Sequence, residues 1–218
     1  DGRKRRHRFM RALMRSAAKL SYGDAQAIIE GGNAPPSIRN AVEHLYAAFR
    51  IRWKERQHRA PLDLDLAERK VVLGPDGRVV RVEKRARLDS HRLIEEFMIL
   101  ANIAAAETLE ERRIERIYRV HDVPDPEKLD SLRDYLASLD YSLAASGSLR
   151  PANFNQILKR AETRDEKEMI SEVVLRSQRQ AVYSTDNVGH FGLNIPRYAH
   201  FTSPIRRYAD LTVHRALV

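Results

Sequence analysis

The chain has 218 residues, 43% of them hydrophobic, enough to bury one sizeable core, and it carries a formal net charge of +9. It contains no cysteine, which excludes disulfides, thiolate metal sites and a cysteine nucleophile. The excess of Lys and Arg favours a polyanionic partner, nucleic acid or an acidic membrane surface; with no apolar run of transmembrane length and no signal peptide expected, a soluble, cytoplasmic protein is predicted.

Residues 2–8 are densely basic and read as a nucleic-acid arm or a disordered tail. Phe9, Met10, Leu13, Met14 and Ala17 follow at helical spacing and predict a helix with a core-facing stripe. Ser21 is suited to cap a second helix, with Tyr22, Ala25, Ile28 and Ile29 on its apolar face and Gly31-Gly32 at its end. Pro35-Pro36 opens a long helix in which Ile38, Val42, Leu45, Ala48, Phe49 and Trp53 recur at i+3 and i+4, with Arg and Lys on the other faces.

Residues 60–66 alternate apolar and acidic, the strand period, and set Asp63 and Asp65 on one face. Two such carboxylates could hold Mg²⁺, but nothing nearby completes a ligand set, so a half-exposed strand is the reading taken. Residues 70–73 and 78–82 flank a G-P-D-G turn and predict a hairpin that extends a sheet. Asp89 or Ser90 caps the next helix, whose Leu93, Ile94, Phe97, Met98, Ala101, Ala104 and Ala105 mark it as the central core helix. Glu95 and Glu96 interrupt that helix, and an acid beside a core face requires a partner.

Residues 117–120 read as a short buried strand. His121-Asp122 after it is weak support for a metal or acid-base pair, and a hydrogen-bonded structural histidine is the reading taken. Helices are predicted over residues 124–139, 151–160 and 166–179, the last with Val174 and Leu175 facing inward, and a loop over 142–148. Neither repeats nor a linker divides the chain.

The most informative stretch is residues 189–215, G-H-F-G-L-N-I-P-R-Y-A-H-F-T-S-P-I-R-R-Y-A-D-L-T-V-H-R. Thr202 and Ser203 are good N-cap residues and Pro204 suits a first turn, so a helix is predicted to begin here, its unpaired N–H groups offering an anion site at Ser203. Arg206 and Arg207 beside it suggest a phosphate grip, and the glycine-aromatic elements His190-Phe191-Gly192 and His200-Phe201 suggest close approach to a ligand.

This run resembles the signature of the ribonuclease II superfamily, most closely its ribonuclease R-like branch. R-L-I-E-E-F-M-I-L-A-N at 92–102 and Y-R-V-H-D at 118–122 fall in the family's order, so the resemblance covers nearly the whole chain. It implies a mixed α/β fold, a sheet surrounded by many helices, forming part of one ribonuclease II-type catalytic domain over residues 1–218. The implied activity is 3′-to-5′ hydrolysis of single-stranded RNA to nucleoside 5′-monophosphates with Mg²⁺. By the same resemblance Arg206 is the catalytic residue that neutralises phosphate charge. Tyr22 and Glu95 orient the terminal nucleotide, and His200, Ser203 and Arg207 accompany them as substrate-binding residues. Leu64 stands where some relatives place a stacking aromatic.

The family's aspartate pattern, D-x-x-x-x-x-D-x-D-D, does not occur in residues 1–218, so no metal ligands are assigned within the chain. The resemblance places a D-G-x segment like that at Asp1 within a hairpin, and residue 218 falls in a predicted helix, so a fragment without the flanking barrel domains, inactive alone, is expected. The alternative is a non-catalytic RNA-binding or scaffold protein built on a degenerate domain. A basic membrane-surface protein is disfavoured, because no Lys-rich amphipathic helix exposes Trp or Phe.

Overall fold

Helix α3 (Asp89–Glu111) is the axis on which one group of elements packs, and three small residues explain part of this. Ala104, Ala105 and Ala106 are buried, and together with Leu109 they admit β3 (Tyr118–Val120) and α7 (Tyr208–Leu217) at close range, where Val120 and Val213 complete a cluster. Earlier along α3, Leu93 packs with Ile28 of α1 (Tyr22–Ile29) and with Val42, Tyr46 and Phe49 of α2 (Pro36–Arg59). A separate core joins α4 (Pro126–Ala137), α5 (Pro151–Ala161) and α6 (Lys167–Ser177) around Phe154, Leu132, Leu136, Ile170 and Val174. The computed structural model describes residues 1–64, 66, 69–84, 86–144 and 149–218.

The mixed α/β class holds, with a sparse sheet component. Among the described residues β1 (Arg69–Leu73) and β2 (Val79–Lys84) pair only with each other, and β3 pairs antiparallel with β4 (Val182–Ser184). The hairpin therefore does not extend a larger sheet, and Val71, Leu73, Val79, Val80 and Val82 remain exposed. No described helix is long and apolar enough to cross a membrane.

Five expectations need correction. Residues 1–16 contain no helix or strand: Arg52 donates to the Gly2 carbonyl at 2.5 Å, Lys4 pairs with Glu107, and His7 bonds Thr108 Oγ1 at 2.6 Å, holding the segment stretched across α2 and α3. A helix there would stack Arg8, Arg11 and Arg15 on one face, where like charges repel. Leu13 and Met14, expected in the core, are exposed.

Residues 61–64 are coil instead of strand. The apolar alternation is real, since Leu62 and Leu64 pack on the α4–α6 core. Their backbone, however, is bonded by a loop and a side chain: Leu62 N–H donates to Gly192 O at 2.8 Å, and Asn155 bridges the Pro61 carbonyl and the Asp63 N–H. Asp65, and residues 145–148 of the expected loop, lie outside the described residues.

Helix α3 starts from Leu88, with Asp89 already in its first turn. Leu45, Ile94 and Leu175, read as core-facing, are exposed on the flanks of their helices. Helix α7 begins at Tyr208, five residues after the expected cap, for a reason that belongs to the site itself.

Candidate active site

Buried Asn102 on α3 organises the signature stretch. Its Nδ2 donates to Tyr198 Oη at 2.8 Å and its Oδ1 accepts the Phe201 N–H at 2.9 Å, fixing the chain on either side of His200. His214 of α7 stacks on the Phe201 ring and bonds its carbonyl. Within the His190-Phe191-Gly192 element the close approach that the structure shows is to a side chain. Gly192 is approached by His121, whose Nδ1 accepts its N–H at 2.9 Å and would stand 2.8 Å from an added Cβ, so the glycine is a packing requirement. His190 lies between His121 and Tyr198, and burial, reinforced by His121, pushes its pKa down to about 3.

The segment before α7 folds as a turn. The Ser203 carbonyl accepts from the N–H groups of Arg206 and Arg207, but Arg207 is then extended, with φ −131° and ψ 121°, and becomes the N-cap of α7. Asp210, fully buried in the first turn, reaches back to accept the Ser203 N–H at 2.7 Å and to hold Arg207 through two bonds of 2.7 Å. The helix predicted from Ser203-Pro204 does not run on into α7: after one turn the backbone is extended at Arg207, and the helix begins at Tyr208. The Ser203 N–H is thus taken by Asp210 and is not free for an anion. Thr202 Oγ1 is buried without a hydrogen-bond partner among the described residues.

Arg206 and Arg207 have different environments. Arg207 is braced by Asp210, whereas Arg206 is exposed and makes no side-chain hydrogen bond or ion pair among the described residues. His200 is held near them: Tyr183 Oη lies 2.8 Å from its Nδ1, and Arg119 covers the Tyr183 ring at 4.8 Å. Burial, with the neighbouring Arg207 charge, lowers the His200 pKa to about 4, so near neutral pH it is an uncharged hydrogen-bonding group.

Tyr22 and Glu95 form a second group on the start of α3. Tyr22 stacks on His91, with centroids 4.1 Å apart, and Glu95 sits one helical turn beyond His91. Glu95 pairs with Arg87 at 2.6 Å and lies 3.6 Å from Arg56. Next to it Glu96 is fully buried, bonded by Arg56 at 2.6 Å and Arg59 at 3.2 Å, with Arg52 at 3.5 Å. His91 and Glu95 line a cleft of about 1040 Å³ between α3, the β1–β2 hairpin and α6. Its wall carries five cationic side chains, Arg69, Lys84, Arg87, Arg92 and Lys167, against three carboxylates, Glu95, Glu168 and Glu172. Leu64 also lines this cleft.

The two groups make no direct contact among the described residues; α3 joins them, with Glu95 and Asn102 two turns apart, about 10 Å along its axis. Sequence reading missed Asn102, Asp210, Tyr183 and the buried arginines. A signal existed for the last of these: Arg52, Arg56 and Arg59 recur at i, i+4 and i+7, a stripe as regular as the apolar one. Among the described residues no three His, Asp or Glu side chains converge to hold a metal ion, so they do not fit the Mg²⁺ implied by the resemblance.

Comparison with known proteins agrees with this architecture. The family described as the RNB domain matches residues 1–218. The chain is 39% identical over 210 residues to ribonuclease R of Vibrio cholerae, covering 94% of this chain and 26% of that protein. Among solved structures it is similar to RNase R of Mycoplasma genitalium, with a TM-score of 0.83 and 27% identity over 91% of this chain and 32% of that one; that protein has also been solved with single-stranded and double-stranded RNA. It shares its fold with yeast Ssd1, described as a pseudonuclease, at a TM-score of 0.65 and 22% identity over 91% of this chain and 24% of that one. The chain thus spans about a quarter of the length of its curated relative. The chain belongs to the RNB domain family.

Proposed function

We propose that this chain is the phosphate-gripping and nucleotide-orienting part of a cytoplasmic 3′-to-5′ exoribonuclease that hydrolyses single-stranded RNA to nucleoside 5′-monophosphates. The observation that carries the reading is Arg206, an exposed guanidinium with no side-chain hydrogen bond or ion pair among the described residues, on a turn that the Arg207–Asp210 pair braces. An unpaired planar fork on a rigid support is preorganised for phosphate oxygens, and charge developing on them in the transition state would be met without reorganisation. Arg207 supports the grip through the turn, Ser203 anchors that turn to Asp210, and neutral His200 offers a hydrogen bond beside the phosphate.

Tyr22 and Glu95 orient the terminal nucleotide at the mainly cationic cleft, Tyr22 by its exposed ring and Glu95 by its carboxylate. Glu95 takes this role rather than Glu96, whose carboxylate is saturated by arginines. Mg²⁺, if held by residues of the whole enzyme as the resemblance implies, would supply water activation and charge neutralisation. The described residues offer it no convergent ligands.

That lack of ligands also favours a second reading, an RNB-type domain that binds RNA without cleaving it. Fold alone does not decide between them. Both require binding, which is tested by titrating a labelled single-stranded RNA into the chain at rising salt. Affinity should fall steeply, since phosphate contacts release counterions, and an affinity unchanged across the series would overturn both.

A further inference from the structure

His91 is unused by the reading above, yet it touches both of its nucleotide-orienting residues' surroundings. It is the third residue of α3, and its Nδ1 accepts the Leu88 N–H at 3.2 Å, which closes the helix start and fixes the ring. With Nδ1 committed as acceptor, the neutral imidazole carries its proton on Nε2. The ring lies nearly parallel to the Tyr22 phenol, 21° apart in plane and 4.1 Å between centroids.

Tyr22 has few other restraints on its ring. Its backbone is held, because Ser90 Oγ donates to the Tyr22 carbonyl at 2.8 Å and the Ser90 N–H donates to Gln26 Oε1. Its side chain, however, remains 42% exposed, and an exposed tyrosine can exchange between staggered rotamers unless something backs it. The only ring stacked on it among the described residues is His91.

We propose that His91 is a positioning residue that backs the Tyr22 ring and presents its other face to a nucleobase of single-stranded RNA. The inference rests on the reading of Tyr22 as a base contact. An aromatic plate fixed from behind binds a base without the entropy cost of first being ordered, and stacking is tolerant of base identity because every base has a π face. His91 also lines the cleft beside Glu95, so the plate stands at the edge of a mainly cationic wall that suits the attached phosphates.

Two roles must be separated, since His91 both caps α3 and stacks on Tyr22. His91→Asn keeps a short acceptor for the Leu88 N–H and loses the ring, whereas His91→Phe keeps a ring and loses the acceptor. The probe is a short single-stranded RNA with 2-aminopurine as its 3′-terminal base, whose fluorescence is quenched by stacking, titrated into the 218-residue chain and its variants. Wild-type chain should quench it, and Tyr22→Ala should not. His91→Asn should bind about three- to tenfold more weakly with reduced quenching while keeping its Tm, and His91→Phe should keep the quenching with a lower Tm. Quenching and affinity retained by His91→Asn, whatever His91→Phe does, with Tyr22→Ala impaired, would overturn the positioning role alone. Tyr22→Ala quenching like wild type would overturn the base contact and the inference together.

Discussion

Arg207 and Asp210 are joined through both arms of the side chains, Nε to Oδ2 and Nη2 to Oδ1, each at 2.7 Å. Burial pushes the Asp210 carboxyl up, but the hydrogen bonds from Arg207 and the Ser203 N–H outweigh it and hold the group below its ordinary range; the same pairing raises Arg207. Arg207 is thereby tied to Asp210, while neighbouring Arg206 is exposed, with no side-chain hydrogen bond or ion pair among the described residues. In an enzyme of the relatives' length, Arg206→Ala should lower kcat by roughly 10²–10³ with RNA affinity nearly unchanged, because a donor aimed at the transition state is lost. Arg207→Ala should reduce kcat less and lower Tm. Equal and mild kinetic effects from both would make the two arginines interchangeable surface charges.

Asp210→Ala tests the brace itself. It leaves Arg207 and the Ser203 N–H without their acceptor and should cost about 3 kcal/mol, the low end for breaking a buried pair because the Arg207 guanidinium keeps part of its solvent. Urea unfolding of the 218-residue chain measures this. A change under 1 kcal/mol would mean that the turn is held by something other than Asp210.

Glu96 presents the opposite balance, one carboxylate among three guanidiniums that are themselves largely buried. Burial lowers the pKa of Arg59 against the pull of Glu96, a sign that the cluster is tolerated only because the acid is present. Glu96→Ala should therefore destabilise the chain by about 3–5 kcal/mol, more than Glu95→Ala, whose carboxylate is partly exposed. Comparable melting curves for the two variants would contradict this assignment.

Much of the scaffold could be read from residues alone. The 3.6-residue periodicity and the Ser21 and Pro36 starts gave α1 and α2 near their observed limits, and the G-P-D-G turn gave the hairpin. What failed depended on partners distant in sequence. Ser203-Pro204 has the local chemistry of a helix start, yet the backbone is extended at Arg207, which Asp210 holds, and the helix begins at Tyr208. The alternation in residues 61–64 is a packing pattern without a strand, because Asn155 meets its backbone where a neighbouring strand would. Asn102 looked like one polar interruption in an apolar helix, and its two bonds to the signature stretch span about a hundred residues.

The histidines predict a pH dependence. Burial, with His121 nearby, holds His190 down at about 3, and burial with Arg207 holds His200 at about 4, each from an ordinary value of 6.5. The unfolded chain therefore takes up these protons near pH 6.5 while the folded chain does not, so stability is fully present above that value and falls as pH drops toward about 4. His200 faces Arg207, Arg206, Arg119 and Asp210; the carboxyl of Asp210, held below its usual range, titrates only below this window. Tm measured from pH 7.5 to 4.5 should decline, and His190→Gln should flatten the decline. A Tm independent of pH over this range, or a slope unaltered by His190→Gln, would refute the assignment.

The last prediction concerns hydrolysis. Metal-assisted cleavage needs several carboxylates converging on the ions opposite the phosphate, and the acids described here are committed elsewhere. Glu95 is paired with Arg87, Glu96 with three arginines and Asp210 with Arg207, while exposed Asp63 has Arg56 at 4.0 Å. Asp186 lies in the loop after β4 and, among the described residues, belongs to no group of three His, Asp or Glu that could hold a metal ion. The 218-residue chain given Mg²⁺ or Mn²⁺ should bind a 5′-labelled single-stranded RNA and release no mononucleotide from it. A form matching the curated relatives in length, and carrying the aspartate pattern, should shorten the same RNA stepwise from its 3′ end. Metal-dependent release by the short chain would overturn the account of its carboxylates. Binding without cleavage by both forms would favour the non-catalytic reading, since the grip at Arg206 would then serve to hold RNA and nothing more.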